Sequence, residues 1–198
     1  MKLFIASDIH GSAKYCRLML EAFNRENADK LLLLGDILYH GPRNPLPEEY
    51  SPKEVAEMLS AVKQNILCVR GNCDSEVDQM VLPFHILSDY SAVFADGVNI
   101  YLSHGHKSVP PLGKDCVYVT GHTHVPLNVA VGEYYHLNPG SVSLPKDGTA
   151  HGYILYENRK FVFKTLDGEE YDRLDLNEAT GATVKRPVVR RKIVRRRK

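Results

Sequence analysis

The stretch Lys2-Leu3-Phe4-Ile5-Ala6-Ser7-Asp8-Ile9-His10-Gly11 opens with an unbroken apolar run that stops at an aspartate, a histidine and a glycine. Lys2–Ser7 reads as a short strand buried on both faces, because its apolar residues follow one another without alternation. Residues 13–27 then read as a helix, with Leu18, Met19, Ala22 and Phe23 on one face. Leu31–Leu34 repeats the pattern of a buried strand and ends at Gly35-Asp36. Gly41 to Pro52 holds four prolines and reads as a loop. Ser51-Pro52-Lys53-Glu54 combines a capping serine, a proline at the first helical position and a glutamate three residues after the cap. Val55, Met58, Leu59 and Val62 continue that helix, and Ile66–Val69 is a third buried strand. The alternation strand-helix-strand-helix-strand predicts an α/β layer with a partly parallel sheet.

The second half changes character. Ala92–Ala95, the Asp96-Gly97 turn and Val98–Leu102 read as a hairpin. Cys116–Thr120, Val125–Val131, Tyr134–Leu137, Tyr153–Tyr156 and Lys160–Thr165 read as further strands, with few helical segments between them. They predict a second, mainly antiparallel sheet. The expected fold class is therefore α/β, a four-layer αββα sandwich of two mixed sheets with outer helices. No internal repeat interrupts it, and one domain over residues 1–184 is expected.

Charge sets the last residues apart. Of the chain's 25 Lys and Arg, nine fall within residues 185–198, which hold no acidic residue. The remaining body carries 16 basic against 24 acidic residues. Such a like-charged block is expected to be a disordered tail, and contact with nucleic acid or an anionic membrane is its functional alternative. No apolar run is long enough to span a bilayer. Eight residues from Met1 to Asp8 leave no room for a signal peptide's apolar region. The four cysteines are scattered without a CxxC pair, so free thiols in a reducing cytoplasm are expected. The oligomeric state stays open, a homo-oligomer included.

Five short segments carry chemistry: Asp8-Ile9-His10-Gly11, Gly35-Asp36, Gly71-Asn72-Cys73-Asp74, Ser103-His104-Gly105-His106 and Gly121-His122-Thr123-His124. Each follows an apolar run, and in open α/β sheets ligands gather at the carboxyl ends of strands. Taken singly, an Asp after a strand is usually a cap and a buried His usually a hydrogen-bonded core residue. Jointly, Asp8, His10, Asp36, Asn72, His104, His122 and His124 supply seven oxygen and nitrogen donors, which suits two divalent cations sharing a carboxylate. Two such cations, roughly 3.5–4 Å apart, would hold a bridging hydroxide for attack on phosphorus and stabilise the entering and leaving oxygens. Oxygen and nitrogen donors admit Mn²⁺, Zn²⁺, Fe²⁺, Ni²⁺ or Co²⁺.

The order Asp-x-His, Gly-Asp, Gly-Asn-x-Asp, His-Gly-His, Gly-His-x-His resembles the calcineurin-like metallophosphoesterases, over residues 3 to about 145. Gly35 to Asn44, Arg70 to Met80 and Asn138 to Ser143 look like the YfcE-type phosphodiesterases within that family. The resemblance implies a small cytoplasmic enzyme, usually manganese-dependent, acting on a small phosphodiester. It implies one metal held by Asp8, His10, Asp36 and His124, and a second by Asp36, Asn72, His104 and His122. Most of the wider family has His where Cys73 stands, able to protonate the leaving oxygen, with an Asp at the place of Asp74 to orient it. A neutral thiol is a poor substitute, so weak general-acid help and a preference for good leaving groups are expected. Asn72, Cys73 and Asp74 are thus the catalytic candidates. His40, Arg43, Arg70 and His106 are the candidates for substrate contact, the arginines through forked donors to phosphate. The competing reading for Arg43 and Arg70 is a salt bridge that holds the loop.

Two other functions fit the same fold. A phosphomonoesterase or nucleotidase would use the same centre, since either phosphoryl group fits between two cations. A protein-binding scaffold, as in the retromer subunit that resembles this family, would not need the complete donor set present here.

Overall fold

The computed structural model describes residues 1–178. The basic segment 185–198, and the last residues of the domain expected over 1–184, lie outside them. Strand β1 (Leu3–Ala6) sits near the middle of a six-stranded sheet. It pairs in parallel with β2 (Lys30–Leu33), which pairs in parallel with β3 (Ile66–Cys68). On its other side β1 pairs antiparallel with a late strand, Gly152–Glu157, described below as β9. With neighbours on both edges and layers on both faces, β1 is wholly buried. Its side chains alternate as a pleat demands. Phe4 and Ala6 join a core under the helices, while Leu3 and Ile5 join a core between the two sheets.

Helix α1 (Ala13–Glu26) starts where the Ser12 hydroxyl accepts the Tyr15 N–H, and ends at Asn27 in the left-handed conformation. Its buried face includes Cys16, Met19, Ala22 and Phe23. Leu18, expected on that face, is only partly buried at its edge. Helix α2 (Pro52–Ala61) begins at the predicted place, with proline in its first turn. Ser51 stands at the cap position, but its side chain makes no capping hydrogen bond. Its backbone instead ties the helix to the first ligand turn, donating to the Gly11 carbonyl at 2.8 Å. A third helix, α3 (Glu76–Val81), was not anticipated. It is six residues long, too short for an apolar period to show. Its signal was local, a capping box in which Ser75 and Asp78 bond each other's backbone N–H groups.

The second sheet contains β4 (Tyr90–Ala95), β5 (Val98–Ser103), β6 (Val117–Val119), β7 (Pro126–Val131) and β8 (Tyr134–Pro139), in the order β4-β5-β6-β8-β7. It is mixed rather than mainly antiparallel, since β5–β6 and β6–β8 are parallel pairs. Strands β9 (Gly152–Glu157), β10 (Lys160–Thr165) and β11 (Glu170–Asp175) do not extend it. They return to the first sheet in the order β11-β10-β9-β1-β2-β3. The reason is burial: β9 is covered on both faces along nearly its whole length, and the place beside β1 in the middle of the first sheet provides that cover. Both expected mixed sheets are present. Helices α1 and α2 cover the outer face of the first sheet. Leu32, Ile100, Val117, Val119, Ile154 and Phe161 close the inter-sheet core.

Candidate metal centre

The carboxyl ends of β1, β2 and β3 face those of β5 and β6 across the top of the inter-sheet core. From the first sheet come Asp8 and His10 after β1, Asp36 after β2 and Asn72 after β3; from the second come His104 after β5 and His122 and His124 after β6. Five of these seven, Asp8, His10, Asp36, His122 and His124, adopt positive φ, between 51° and 69°. Non-glycine residues seldom hold that conformation, and a site that concentrates it is over-determined by its surroundings. Gly35, itself at φ +94°, and Gly71 make one of the tight turns possible. A Cβ on Gly35 would collide with the Gly71 backbone, and one on Gly71 with the Asp36 carboxylate.

The turns are held by side-chain bonds to backbone. Ser141 and Ser143 donate to the Asp8 carbonyl at 2.8 and 3.1 Å. Asn138 donates to the Gly121 carbonyl at 2.7 Å. Buried Asp74 accepts from the N–H groups of Asp36, Ile37 and Gly71 at 2.9, 2.9 and 2.7 Å. Burial, with the nearby Asp36 charge, raises its pKa to about 6 against those three donors. Asp74 thus shapes the Asp36 turn rather than facing the pocket.

Three imidazoles are oriented alike. His10, His104 and His124 each donate Nδ1–H to a backbone carbonyl, those of Tyr39, Leu34 and Leu144, at 2.9, 2.7 and 2.6 Å. Their Nε2 atoms therefore point inward, free to serve as ligands. His10 Nε2 and His124 Nε2 lie 3.1 Å apart, so two lone pairs confront each other unless a proton or a cation intervenes. Asp8 Oδ2 accepts the His122 N–H at 2.9 Å, while Oδ1 is buried without a hydrogen-bond partner. That orphaned oxygen lies 3.5 Å from His10 Nε2, 3.4 Å from His124 Nε2 and 3.9 Å from His104 Nε2. Asp36 repeats the design: Oδ1 accepts the Cys73 N–H at 2.8 Å, and Oδ2 sits 3.7 Å from His10 Nε2 and 3.3 Å from His104 Nε2. Asn72 Oδ1 lies 3.1 Å from His104 Nε2. An unpartnered carboxylate oxygen among inward lone pairs is what a cation satisfies. Asp8, His10 and His124 form one candidate ligand group, and Asp8, Asp36 and His104 another.

Electrostatics agree. Burial opposes the charge on Asp8 and Asp36, but the facing imidazoles, His10, His124 and His104 around Asp8 and His104 beside Asp36, hold both carboxylates below their ordinary range. Burial likewise opposes charge on His10 and His104, yet the carboxylates outweigh it, raising His10 and bringing His104 to about 9. The carboxylates stay ionised and draw positive charge onto their neighbours. A divalent cation would displace those protons.

The remaining candidates divide. The His122 ring lies 5.1 Å from that of His104, on the open side. His106 lies 5.4 Å from His104 with its Nδ1 unpartnered, and burial with the two neighbouring histidines lowers its pKa. A pocket of about 470 Å³ opens over Asp36, Asn72, His122 and His124. Arg43 and Cys73 line it. The Cys73 thiol is pushed up by burial and by Asp36, so it stays neutral. Arg70 is not brought there: its guanidinium pairs with Glu76 at 3.2 Å and donates to the Asp74 carbonyl. His40 is wedged edge-on against Tyr39 and Tyr50. Lys146 lines the pocket and escaped sequence reading, because a lysine in a Pro-Lys-Asp-Gly turn carries no motif. Its backbone N–H binds the His124 carbonyl at 3.1 Å, which places it beside the ligands.

The comparisons with known proteins fit this geometry. Residues 1–160 match the Calcineurin-like phosphoesterase superfamily domain. Phosphodiesterase YfcE of Escherichia coli K12 is 48% identical over 162 residues, spanning 80% of this chain and 88% of that protein. A phosphodiesterase from Methanocaldococcus jannaschii is 29% identical, over 71% of this chain and 83% of its own length. The solved structure of E. coli YfcE, described as a phosphoesterase, superposes with a TM-score of 0.86, at 43% identity, covering 89% of this chain and all of that one. Vps29 of Entamoeba histolytica, solved with zinc, shares the fold at a TM-score of 0.60 and 22% identity, over 88% of this chain and 99% of its own. The chain belongs to the calcineurin-like phosphoesterase superfamily, whose members use divalent metal ions, and it is a hydrolase acting on phosphoesters.

Proposed function

We propose that this chain hydrolyses a small phosphodiester with two divalent cations, Mn²⁺ foremost, held by Asp8, His10, Asp36 and His124 on one side and by Asp36, Asn72, His104 and His122 on the other. The observation that carries the reading is the inward convergence of Asp8 Oδ1, Asp36 Oδ2 and three imidazole Nε2 atoms, with contacts between 3.1 and 3.9 Å. When bound, the cations supply an attacking water of lowered pKa and charge that stabilises the entering and leaving oxygens. The chain's own residues do the rest. Asp74, Ser141 and Ser143 fix the turns that aim the carboxylates. Arg43 meets a phosphate oxygen, and Lys146 adds a second positive charge at the pocket. Cys73 leaves the departing oxygen without a strong proton donor, so esters of acidic alcohols turn over fastest. All four cysteines are free thiols, which suits a reducing cytoplasm. Among the described residues no helix is long and apolar enough to cross a membrane.

The presence of two cationic side chains supports a second reading, since a phosphomonoester brings an extra negative charge that Arg43 and Lys146 could meet. The two separate in one assay. Metal-stripped protein is given bis(p-nitrophenyl) phosphate or p-nitrophenyl phosphate, with and without Mn²⁺. Turnover restored by Mn²⁺ and faster on the diester is expected. Faster turnover of the monoester would move the reading to a phosphatase, and a rate indifferent to metal would defeat both.

A further inference from the structure

Beside the metal pocket lies a larger groove of about 860 Å³, between α2 and α3. The two share Cys73 as a common wall. Tyr39, on the loop after Asp36, lines the groove, and its carbonyl anchors His10. The groove is thus built onto the ligand turns. Its lining is largely apolar, with Leu38, Tyr50, Ala56, Val77 and Val81. Val77 and Val81 are 69% and 57% exposed, high for valines on a helix. Some of the polar groups of the walls are already engaged, while Lys53 and Glu57 stand largely exposed at the rim. Ser75 and Asp78 bond each other, Ser60 donates to the Ala56 carbonyl at 2.6 Å, and Lys53 lies 3.9 Å from Glu57. Lys53, Glu57 and the hydroxyls of Tyr39 and Tyr50 are the main polar groups left against this mostly apolar lining, and the volume is that of a small-molecule site.

Resting on the diesterase reading above, we infer that the groove seats one arm of the substrate, and that this arm is an alkyl or aryl group rather than a nucleoside or sugar. The phosphate lies over the metal ligands, and the arm passes Cys73 into the space between α2 and α3. Substrate choice then comes from these two helices, and the reaction from the turns.

The test is calorimetric binding of methylphosphonate and hexylphosphonate to the Mn²⁺-loaded protein, which needs no turnover. Half-burial of five added methylenes predicts hexylphosphonate binding roughly 30-fold tighter. In Ala56→Phe, which fills the groove, that ratio should fall toward one. Val81→Lys, at an exposed position that tolerates change, should lower it in the same direction and carries the test if Ala56→Phe does not fold. Phe94→Ser, on the exposed strand β4, should keep the wild-type ratio. Equal affinities in the wild type, or a ratio that survives both groove variants, would overturn the inference while leaving the metal centre intact. If neither phosphonate binds, the metal-centre reading fails and the groove falls with it. A wild-type dimer that Ala56→Phe dissociates would instead make the groove a seat for a second copy, and would also overturn it.

Discussion

The two sheets contribute different chemistry to one site. The first gives the carboxylates Asp8 and Asp36 and the amide of Asn72, with His10 its single imidazole; the second gives His104, His122 and His124 and no carboxylate. Neither sheet holds a complete donor set. Asp8 Oδ1 has no partner of its own, and the groups nearest to it include His104 and His124 from across the seam. The centre is therefore a product of docking: a few tenths of an ångström at the interface between sheets changes ligand distances directly, whereas the same shift at β11 or β4 changes nothing there.

The largest effect should come from removing one member of each half. Asp36→Ala and His104→Ala are both expected to drop Mn²⁺-dependent turnover to background, with fewer than two metals per chain by elemental analysis. If His104→Ala kept two metals and most of its activity, the nitrogen half would be dispensable and the comparison would be wrong.

A second prediction strikes the seam itself. A Cβ on Gly121 would collide with Ser7 Oγ and lie 2.8 Å from Asp8 Oδ2. Forcing an atom into so tight a contact costs about 2–3 kcal/mol, so Gly121→Ala should lower the melting temperature and weaken Mn²⁺ binding together. A variant that loses stability and binds Mn²⁺ as before would separate docking from ligation.

Metal should in turn fasten the seam. At a hundredfold excess over its dissociation constant a ligand adds about 2.7 kcal/mol, which for a chain of this size raises the midpoint by roughly 5–10 °C. Scanning calorimetry of stripped and Mn²⁺-loaded protein measures it. The rise should vanish in Asp36→Ala, and a rise that persisted there would place the cation elsewhere.

The smallest effect concerns the first sheet alone. Glu26 accepts from Tyr153 at 2.6 Å and pairs with Lys164 at 2.7 Å, fastening α1 to β9 and β10. Burial opposes its charge, but these two bonds prevail and its pKa is lowered. Its stabilisation is therefore full above the ordinary Glu value of 4.5 and is lost as pH falls through the lower folded value. Glu26→Gln should cost about 1 kcal/mol at neutral pH, with the gap to wild type closing in acid. Urea denaturation at pH 7 and pH 3 checks this, and metal affinity should stay unchanged; a constant gap would mean the bonds matter without the charge.

Much of this was legible before any coordinates. Each candidate ligand stands where an apolar run stops, and burial on both faces of a parallel strand makes that stop plain, so Asp8, Asp36 and Asn72 stood out as candidates. His104 and the pair His122 and His124 did so by the same rule. What the chain alone could not announce was long-range. Strands β9 and β10 carry ordinary strand patterns that do not name their partner, and only the open edge of β1 brings β9, and β10 after it, to the first sheet; β11 was not expected, because its largely exposed Glu170-Tyr171-Asp172-Arg173-Leu174-Asp175 carries no apolar run. Arg70 and Arg43 are the same residue type in similar loops, but Glu76 captures one and leaves the other at the pocket. Lys146 and the groove between α2 and α3 depend on how segments far apart in sequence pack.

The amino-acid sequence by itself determined a candidate donor set, the strand ends that carry it and the α/β class, because hydrophobic run and turn are local properties of the chain. Only the tertiary structure decided which oxygen of each carboxylate faces inward, which imidazole nitrogens are free, and what surrounds the phosphate. Those depend on hydrogen bonds such as Ser141 to Asp8 and His104 to Leu34, separated by 133 and 70 residues, which exist only once the two sheets have closed on each other.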